Sequence, residues 1–574
     1  MLGKLRGTGL LLFLLSQNAV AQTTIFPLSD VRKGMQAIGK TVFSGNRIEE
    51  FQVEILGVLH DAGPGQSIIL GRLSGGPLET TGVMQGMSGS PVYIDGRLLG
   101  AVALAFPFSK EPIAGIRPIE EMVRAANEPQ LKPVRQAAAA LAADGSRLVN
   151  IATPMSFLGF SGSTLDRFSP QLRNLGLLPQ QGVSGGGRLP EALGDPSRLN
   201  PGDMISVQLL SGDMSVGADG TVTAVDGKKV YAFGHQFLAS GTTDLPFARA
   251  EVITLLPNLN SSFKISAPVE WMGSITQDRN TAIAGELGRL AKTIPLSIRM
   301  AGSRSGESSY RMRIVSDPIL TPLLLQMAIF STIESVERAM GPSSFEVTGT
   351  ASFQPGTKPV RFDNTYAGES GTAAIAASGI ASTISYALSL DFNQLRLSGV
   401  DLQIRASEKH RLLNIALATL SKREVAPGET VEIMVTLAGS NGVEVRKRIP
   451  YAVPVGAPAG PLQFAVSDAT SANLAEYSRL LTNPPRSAAR AVDFLNGLRD
   501  NSKFYVRVSV ADTPFSIGGD TLPDPPPSLA LVLAKSLPGT TALPGLGSKI
   551  DELAVDSGGD VVSGFQTVQV QVKP

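Results

Sequence analysis

Glycine and proline punctuate this chain so densely that long uninterrupted elements are hard to build: 60 glycines and 39 prolines in 574 residues. Glycine permits sharp turns and proline removes a backbone donor, so the chain favours short strands joined by turns over long helical bundles. The length suffices for about four domains. Hydrophobic residues at 43% and charged ones at 17% exclude a disordered polyelectrolyte. Lys+Arg 50 against Asp+Glu 49 leaves a net charge of +1, too small a field to coat nucleic acid or an anionic membrane. Cysteine is absent, which removes disulfides, zinc–thiolate sites, iron–sulfur clusters and cysteine nucleophiles. Only His60, His235 and His410 can supply imidazole chemistry. The chain has no phosphate-binding loop and no H-E-x-x-H metal motif, so no cofactor and no metal are expected.

Lys4 and Arg6 precede an apolar run, Gly9 to Leu15, followed by Ser16-Gln-Asn and then Ala19-Val20-Ala21. A basic start, a short apolar core and a small-x-small site read as a cleavable export signal over 1–21, leaving Gln22 as the mature N-terminus. Export implies a periplasmic or extracellular location. The segment Ser370 to Leu390 carries no charge, but its Ala, Gly, Ser and Thr content reads as a packed small-residue helix; no stable membrane span is expected in the mature chain.

The texture along the chain predicts a mainly β protein. Residues 22–125 alternate in strand fashion, as in Phe51 to Val58, and Pro91 to Leu104 reads strand, Asp95-Gly96 turn, strand. Residues 126–194 read as helix and linker, with Ser184 to Gly187 a flexible connector. Residues 195–318 are again β-rich, with Gly220 to His235 forming strand, Asp226-Gly227 turn, strand. Residues 319–398 form a helical and small-residue-rich segment, in which Leu325, Ile329, Ile333, Val336 and Met340 recur at helical spacing and Gly341-Pro342 ends the helix. Val431, Ile433, Val435 and Leu437 alternate within 399–460, which reads as a β-sandwich-like accessory module. The remainder, 461–574, is mixed, with a helical piece at Ser487 to Leu498 and a terminal strand at Phe565 to Val572. Trp271, the lone tryptophan, reads as a packing anchor.

The sharpest local string is Thr81-Gly-Val-Met-Gln-Gly86-Met87-Ser88-Gly89-Ser90-Pro91. A serine nucleophile needs its hydroxyl on a tight loop toward which backbone N–H groups converge. Gly86 and Gly89 lack the Cβ atoms that would prevent such a turn. In the chymotrypsin-like arrangement the oxyanion donors are the N–H of the serine and of the glycine two residues before it, here Ser88 and Gly86. The alternative is a glycine–serine turn without chemistry.

Gly86 to Pro91, the preceding Thr81-Gly82-Val83 and the following Asp95 to Val102 resemble the nucleophile region of the SpoIVB-type serine peptidases, a sporulation-protease-like family of the chymotrypsin-like clan. Similarity continues into Ile116 to Met122, and overall spans about residues 30–125 and 195–300. The resemblance implies chymotrypsin-like, protease-like β units in the N-terminal half. It also implies peptide-bond hydrolysis by a Ser–His or Ser–His–Asp mechanism on a protein or peptide substrate. Val230-Tyr-Ala-Phe-Gly-His235 is similar to the family's glycine–histidine signature, making His235 the expected base. His60 is the rival and reads as a loop residue, whereas His410 sits in the charged, solvated Glu408 to Arg411. His235 follows Ser88, although in the sporulation protease the histidine comes first; a triad is defined by geometry and not by chain order. The family's acid has no counterpart in Arg72 to Pro77, which leaves Asp244 as the candidate, or a dyad whose imidazole is oriented by backbone. The competing classes are a catalytically inactive protease-like protein that binds a cell-envelope partner, and a peptidase that processes only itself.

Overall fold

Turn chemistry sets the first strands. At Asp95-Gly96 both residues have positive φ (48° and 73°), the geometry of a tight hairpin turn, and Pro91–Ile94 folds back on Arg97–Ala105 across it. In this computed structural model the described residues are 24–574 apart from 64, 107, 128–148, 152–153, 176, 183–188, 260, 304–305, 337–339, 408–410, 440–441, 483, 511–514, 518–519, 523–524, 535–541 and 545–547. The export signal, most of the alanine-rich stretch after 126, the connector at 184–187 and His410 therefore lie outside the described residues. The chain divides into two compact units. Unit 1 comprises 1–154, 189–207 and 218–291, and unit 2 comprises 155–188, 208–217 and 292–574.

Unit 1 holds one closed antiparallel β-barrel and most of the strands of a second, the protease-like units expected; the tip of the second barrel's first hairpin, 208–217, is counted in unit 2. In the first, β1 (Gln36–Ser44), β2 (Arg47–Gly63), β3 (Gln66–Ser74), β4 (Pro91–Ile94), β5 (Arg97–Ala105) and β6 (Ile113–Pro118) pair in the order β4-β1-β2-β3-β6-β5. Pairing of β5 with β4 closes the ring, so no edge is left open. Inward positions of each strand supply one apolar core that includes Phe51, Val53, Ile55, Ile69, Val92, Val102 and Ile116. The ring of Phe51 lies where a Cβ on Gly39 would stand, 2.1 Å from its nearest atom, so the barrel closes on a residue without a side chain.

The second barrel uses β7 (Met204–Gly212), β8 (Ser215–Asp226), β9 (Lys229–Ala232), β10 (Gly241–Leu256), β11 (Phe263–Arg279) and β12 (Ala282–Leu287). Its order is β7-β10-β11-β12-β9-β8, closed by the β7–β8 hairpin. The expected turn at Asp226-Gly227 joins β8 to β9, with Asp226 opposite Lys229. Between β3 and β4 runs the serine loop, and between β9 and β10 runs the loop carrying His235; both belong to unit 1.

In unit 2 the helical segment is realised as Leu320–Val336 and Thr372–Ser389, the latter with Ala376, Ala377, Ile380 and Ile384 fully buried. That second helix is long and apolar enough to cross a membrane by length and composition. Met340 does not extend the first helix. With Gly341-Pro342 it opens the strand Met340–Ser352, which pairs with Val360–Ser370 and Gly399–Ser407. The sandwich read at 399–460 begins later and runs further. Leu412–Leu420, Thr430–Gly439, Glu444–Ala452 and Val561–Ser563 form one sheet, and Gly460–Asp468, Lys503–Val510, Ser548–Asp556 and Phe565–Val572 lie in the other. Both faces share a core around Val431, Ile433, Phe464, Val506 and Val570. Strands from the mixed C-terminal region thus complete the module.

Candidate active site

Gly86 and Gly89 hold positive φ (89° and 94°), as the serine loop requires. A Cβ on Gly89 would stand 2.0 Å from the carbonyl oxygen of Thr221 and 2.6 Å from the N of Phe233, so only glycine permits this approach to β8 and β9. Within the loop the N–H groups of Gln85, Met87, Gly89 and Ser90 donate to Ser262, Met84, Val102 and Ser90's own turn partner Met87, respectively. The N–H groups of Gly86 and Ser88 donate to no acceptor among the described residues. The two amides named from the sequence as oxyanion donors are thus among the loop N–H groups that make no hydrogen bond.

Ser88 is fully buried and its Oγ has no hydrogen-bond partner. His235 is 2% exposed, and its Nε2 is likewise buried without a partner. Ser88 Oγ and His235 Nε2 make no hydrogen bond to each other, but their segments run along the same backbone. Gly89 N–H donates to the carbonyl of Val102 at 2.7 Å, and a Cβ on Gly234 would stand 3.4 Å from that same oxygen. Thr221 donates its N–H to the Ser88 carbonyl at 2.8 Å and accepts from the N–H of Phe233 at 3.3 Å. Phe233 has φ 69° despite its side chain, and Gly234 follows at 68°. Such a strained pair persists only where surrounding structure fixes it; here the Phe233 ring fills the space over Gly220.

The imidazole is oriented by backbone. His235 Nδ1 lies 2.7 Å from the carbonyl oxygen of Gln236. A carbonyl only accepts, so Nδ1 carries the proton and Nε2 presents its lone pair. Burial pushes the His235 pKa down to about 4; the Gln236 carbonyl opposes this and the charge of Arg117 adds to it. Arg117, itself 4% exposed, is held by Gln66 at 3.0 Å and faces Glu121 at 3.7 Å.

Asp244 stands apart from this arrangement. Its carboxylate accepts from Ser274 Oγ at 2.7 Å and meets Arg289 at 3.5 Å, while His235 makes no bond to it. A carboxylate that the sequence does not mark does shape the histidine loop. Asp278, 1% exposed, accepts from the N–H groups of Phe237, Leu238 and Ser240 and from Ser240 Oγ, at 2.7–3.2 Å. Its burial raises the pKa, and these four bonds oppose that rise. His60 lies on the exposed end of β2, not in a loop. No group of metal-ligating side chains occurs among the described residues.

The family model described as SpoIVB peptidase S55 matches residues 13–123, a stretch that holds the first barrel and the serine loop and ends before the barrel that carries His235. That match supports the SpoIVB-type serine peptidase family. No curated relative and no solved structure matches the chain.

Proposed function

Taking the SpoIVB peptidase S55 match over residues 13–123 as premise, we propose that the chain is a serine endopeptidase with Ser88 as nucleophile and His235 as its base. One observation carries this reading: a buried hydroxyl without an acceptor and a buried imidazole nitrogen without a donor lie on segments that both run past the Val102 carbonyl. Unsatisfied buried polar atoms cost free energy, and two of complementary kind on neighbouring segments are what a nucleophile and its base would leave before substrate binds.

Ser88 Oγ attacks the scissile carbonyl carbon as its proton passes to Nε2. The developing oxyanion meets the N–H groups of Gly86 and Ser88. Nε2 then gives the proton to the leaving amine, and water releases the acyl group by the same route. The low pKa keeps the imidazole uncharged and able to accept at neutral pH. Gln236 replaces a triad acid by fixing the tautomer, and Asp278 fixes the loop that presents Gln236. Since Ser88 and His235 are both buried, a peptide reaches them only after the serine loop moves outward. The Lys4 to Ala21 signal supports action after export, on protein or peptide substrates.

Full-length protein should react with a fluorophosphonate probe, and Ser88→Ala should abolish the labelling. Labelling that persists in that variant would overturn the assignment. Burial of both groups also favours a second reading, a protease-like barrel retained for cell-envelope assembly. Under that reading the native chain stays unlabelled at every pH.

A further inference from the structure

Lys264 opens β11 with its side chain inside unit 1, 2% exposed and without a countercharge. A lysine in such a position carries a desolvation cost that an apolar side chain of the same length would avoid. What it makes in return is specific. Nζ donates to Thr41 Oγ1 on β1 at 2.7 Å, and Ser90 Oγ donates to the same oxygen at 3.0 Å. The stem does a second thing: a Cβ on Gly86 would stand 3.2 Å from Lys264 Cδ and 3.3 Å from its Cβ. The lysine's carbons therefore bound the loop at Gly86, and its amine meets Ser90 through the Thr41 hydroxyl that both bind, with Ser88 between. The backbone adds a third tie, since Lys264 N–H donates to Gln85 O at 3.2 Å.

We propose that Lys264 is a positioning residue of the serine loop, setting Gly86 through its stem and Ser90 through Thr41 so that the Gly86 and Ser88 amides converge. The proposal rests on Ser88 as nucleophile and adds a residue that touches neither the serine nor the histidine. Burial alone pushes the amine's pKa down to about 7. The elements packed on it face it with uncharged groups: Thr41 and the Phe43 ring of β1, and Gly86 of the loop, with Ser90 reaching it through Thr41. The carboxyl bound to its own strand is Asp219, held by Ser266 Oγ at 2.7 Å. Below pH 7 the amine becomes a buried ammonium and the cost of enclosing it loosens the loop. Above pH 7 the loop is set.

Two measurements on the full chain test this. The fluorophosphonate labelling rate of the native protein should rise through an inflection near pH 7. Lys264→Met, which keeps the packing but not the donor, should label roughly ten-fold more slowly and lose that inflection, while the lower inflection from His235 stays. Because the chain has no cysteine, Ser88→Cys introduces a single buried thiol, and its alkylation by iodoacetamide reports loop opening without requiring peptidase activity. Adding Lys264→Met to that variant should speed alkylation roughly ten-fold at pH 8. Unchanged rates in both assays would overturn the positioning role. Alkylation that responds to Lys264 in a native chain that never labels would instead overturn the peptidase reading and leave the positioning role standing. Should Lys264→Met fail to fold, Thr41→Val removes the shared acceptor with little change of shape. It should slow labelling and shift the inflection; a native profile in it would equally refute the proposal.

Discussion

Both barrels bury apolar side chains, such as Phe51, Val53 and Ile69 in the first and Val222, Phe247 and Ile275 in the second. Among the described residues, however, the first buries only Thr41 and Arg117 as polar residues on its strands, whereas the second buries Ser206, Asp219, Thr221, Thr223, Lys264, Ser266 and Ser274 among others. Each ring closes on six strands. An apolar interior gains free energy from every buried methylene, while a buried hydroxyl, carboxyl or amine at best recovers the hydrogen bonds it had in water. The difference separates two duties. The first barrel is the stable platform from which the serine loop springs, and the second accepts a less favourable interior because its polar groups orient the histidine loop and prop the serine loop from below.

Truncating the platform should produce the largest effect. Phe51→Ala removes a ring that covers Gly39, and glycine has no side chain with which to refill the space. The loss should be about 3–5 kcal/mol, measured by urea unfolding with hydrogen exchange followed in β2. A loss below about 1 kcal/mol would erase the distinction between the barrels.

The polar barrel should respond chiefly to pH. Asp219 accepts from Ser206 and Ser266, yet burial outweighs both bonds and raises its pKa to about 6. Its folded value lies above the unfolded one, near 3.9, so the folded state holds the proton more tightly. Stability from this group is full below about pH 4 and is lost as pH rises to 6. Two units correspond to about 3 kcal/mol as an upper figure. Asp219→Asn cannot ionise, so its melting temperature should gain on the native protein's between pH 4 and 7 and run parallel above that. His235 and Lys264 shift in the opposite direction and are common to both proteins, so the difference isolates Asp219. Parallel curves throughout would mean that the barrel ionises Asp219 without cost.

Much of the platform was legible in the sequence because local chemistry dictates it. Asp95-Gly96 can scarcely be anything but a hairpin turn, and the glycines around Ser88 mark positive φ wherever they fall. His235 emerged because only three histidines exist. The orienting group of that histidine was not legible, since a backbone carbonyl leaves no mark in a list of side chains. Asp278 binds N–H groups about 40 positions earlier in the chain, a pairing produced by the β10–β11 hairpin and not by spacing. Lys264 alternates with Phe263 and Ile265 like any outward lysine on a strand, and only barrel closure turns it inward. The sandwich ran past its expected end for a related reason: its sheets pair Leu413 with Val562, and no local pattern announces a partner so distant.

The contrast between two aspartates sharpens the comparison at its finest scale. Asp244 was the expected acid, but it is partly exposed, and it binds Ser274 and pairs with Arg289. A pair open to solvent contributes about 0–1 kcal/mol, so Asp244→Asn should change neither stability nor the labelling rate by more than about two-fold. Asp278→Asn keeps the shape but turns one acceptor oxygen into a donor that faces the N–H groups of Phe237, Leu238 and Ser240. The cost should be about 1–3 kcal/mol, and the loop should drift so that the Gln236 carbonyl no longer fixes Nδ1. Labelling of Ser88 should then fall roughly ten-fold or more, with the His235 inflection displaced, because the imidazole would be free to take the other tautomer. If Asp244→Asn instead gave the larger loss, a carboxylate and not a carbonyl would be orienting His235 in the open, reacting form. The polar barrel would then have to rearrange between its closed and working states.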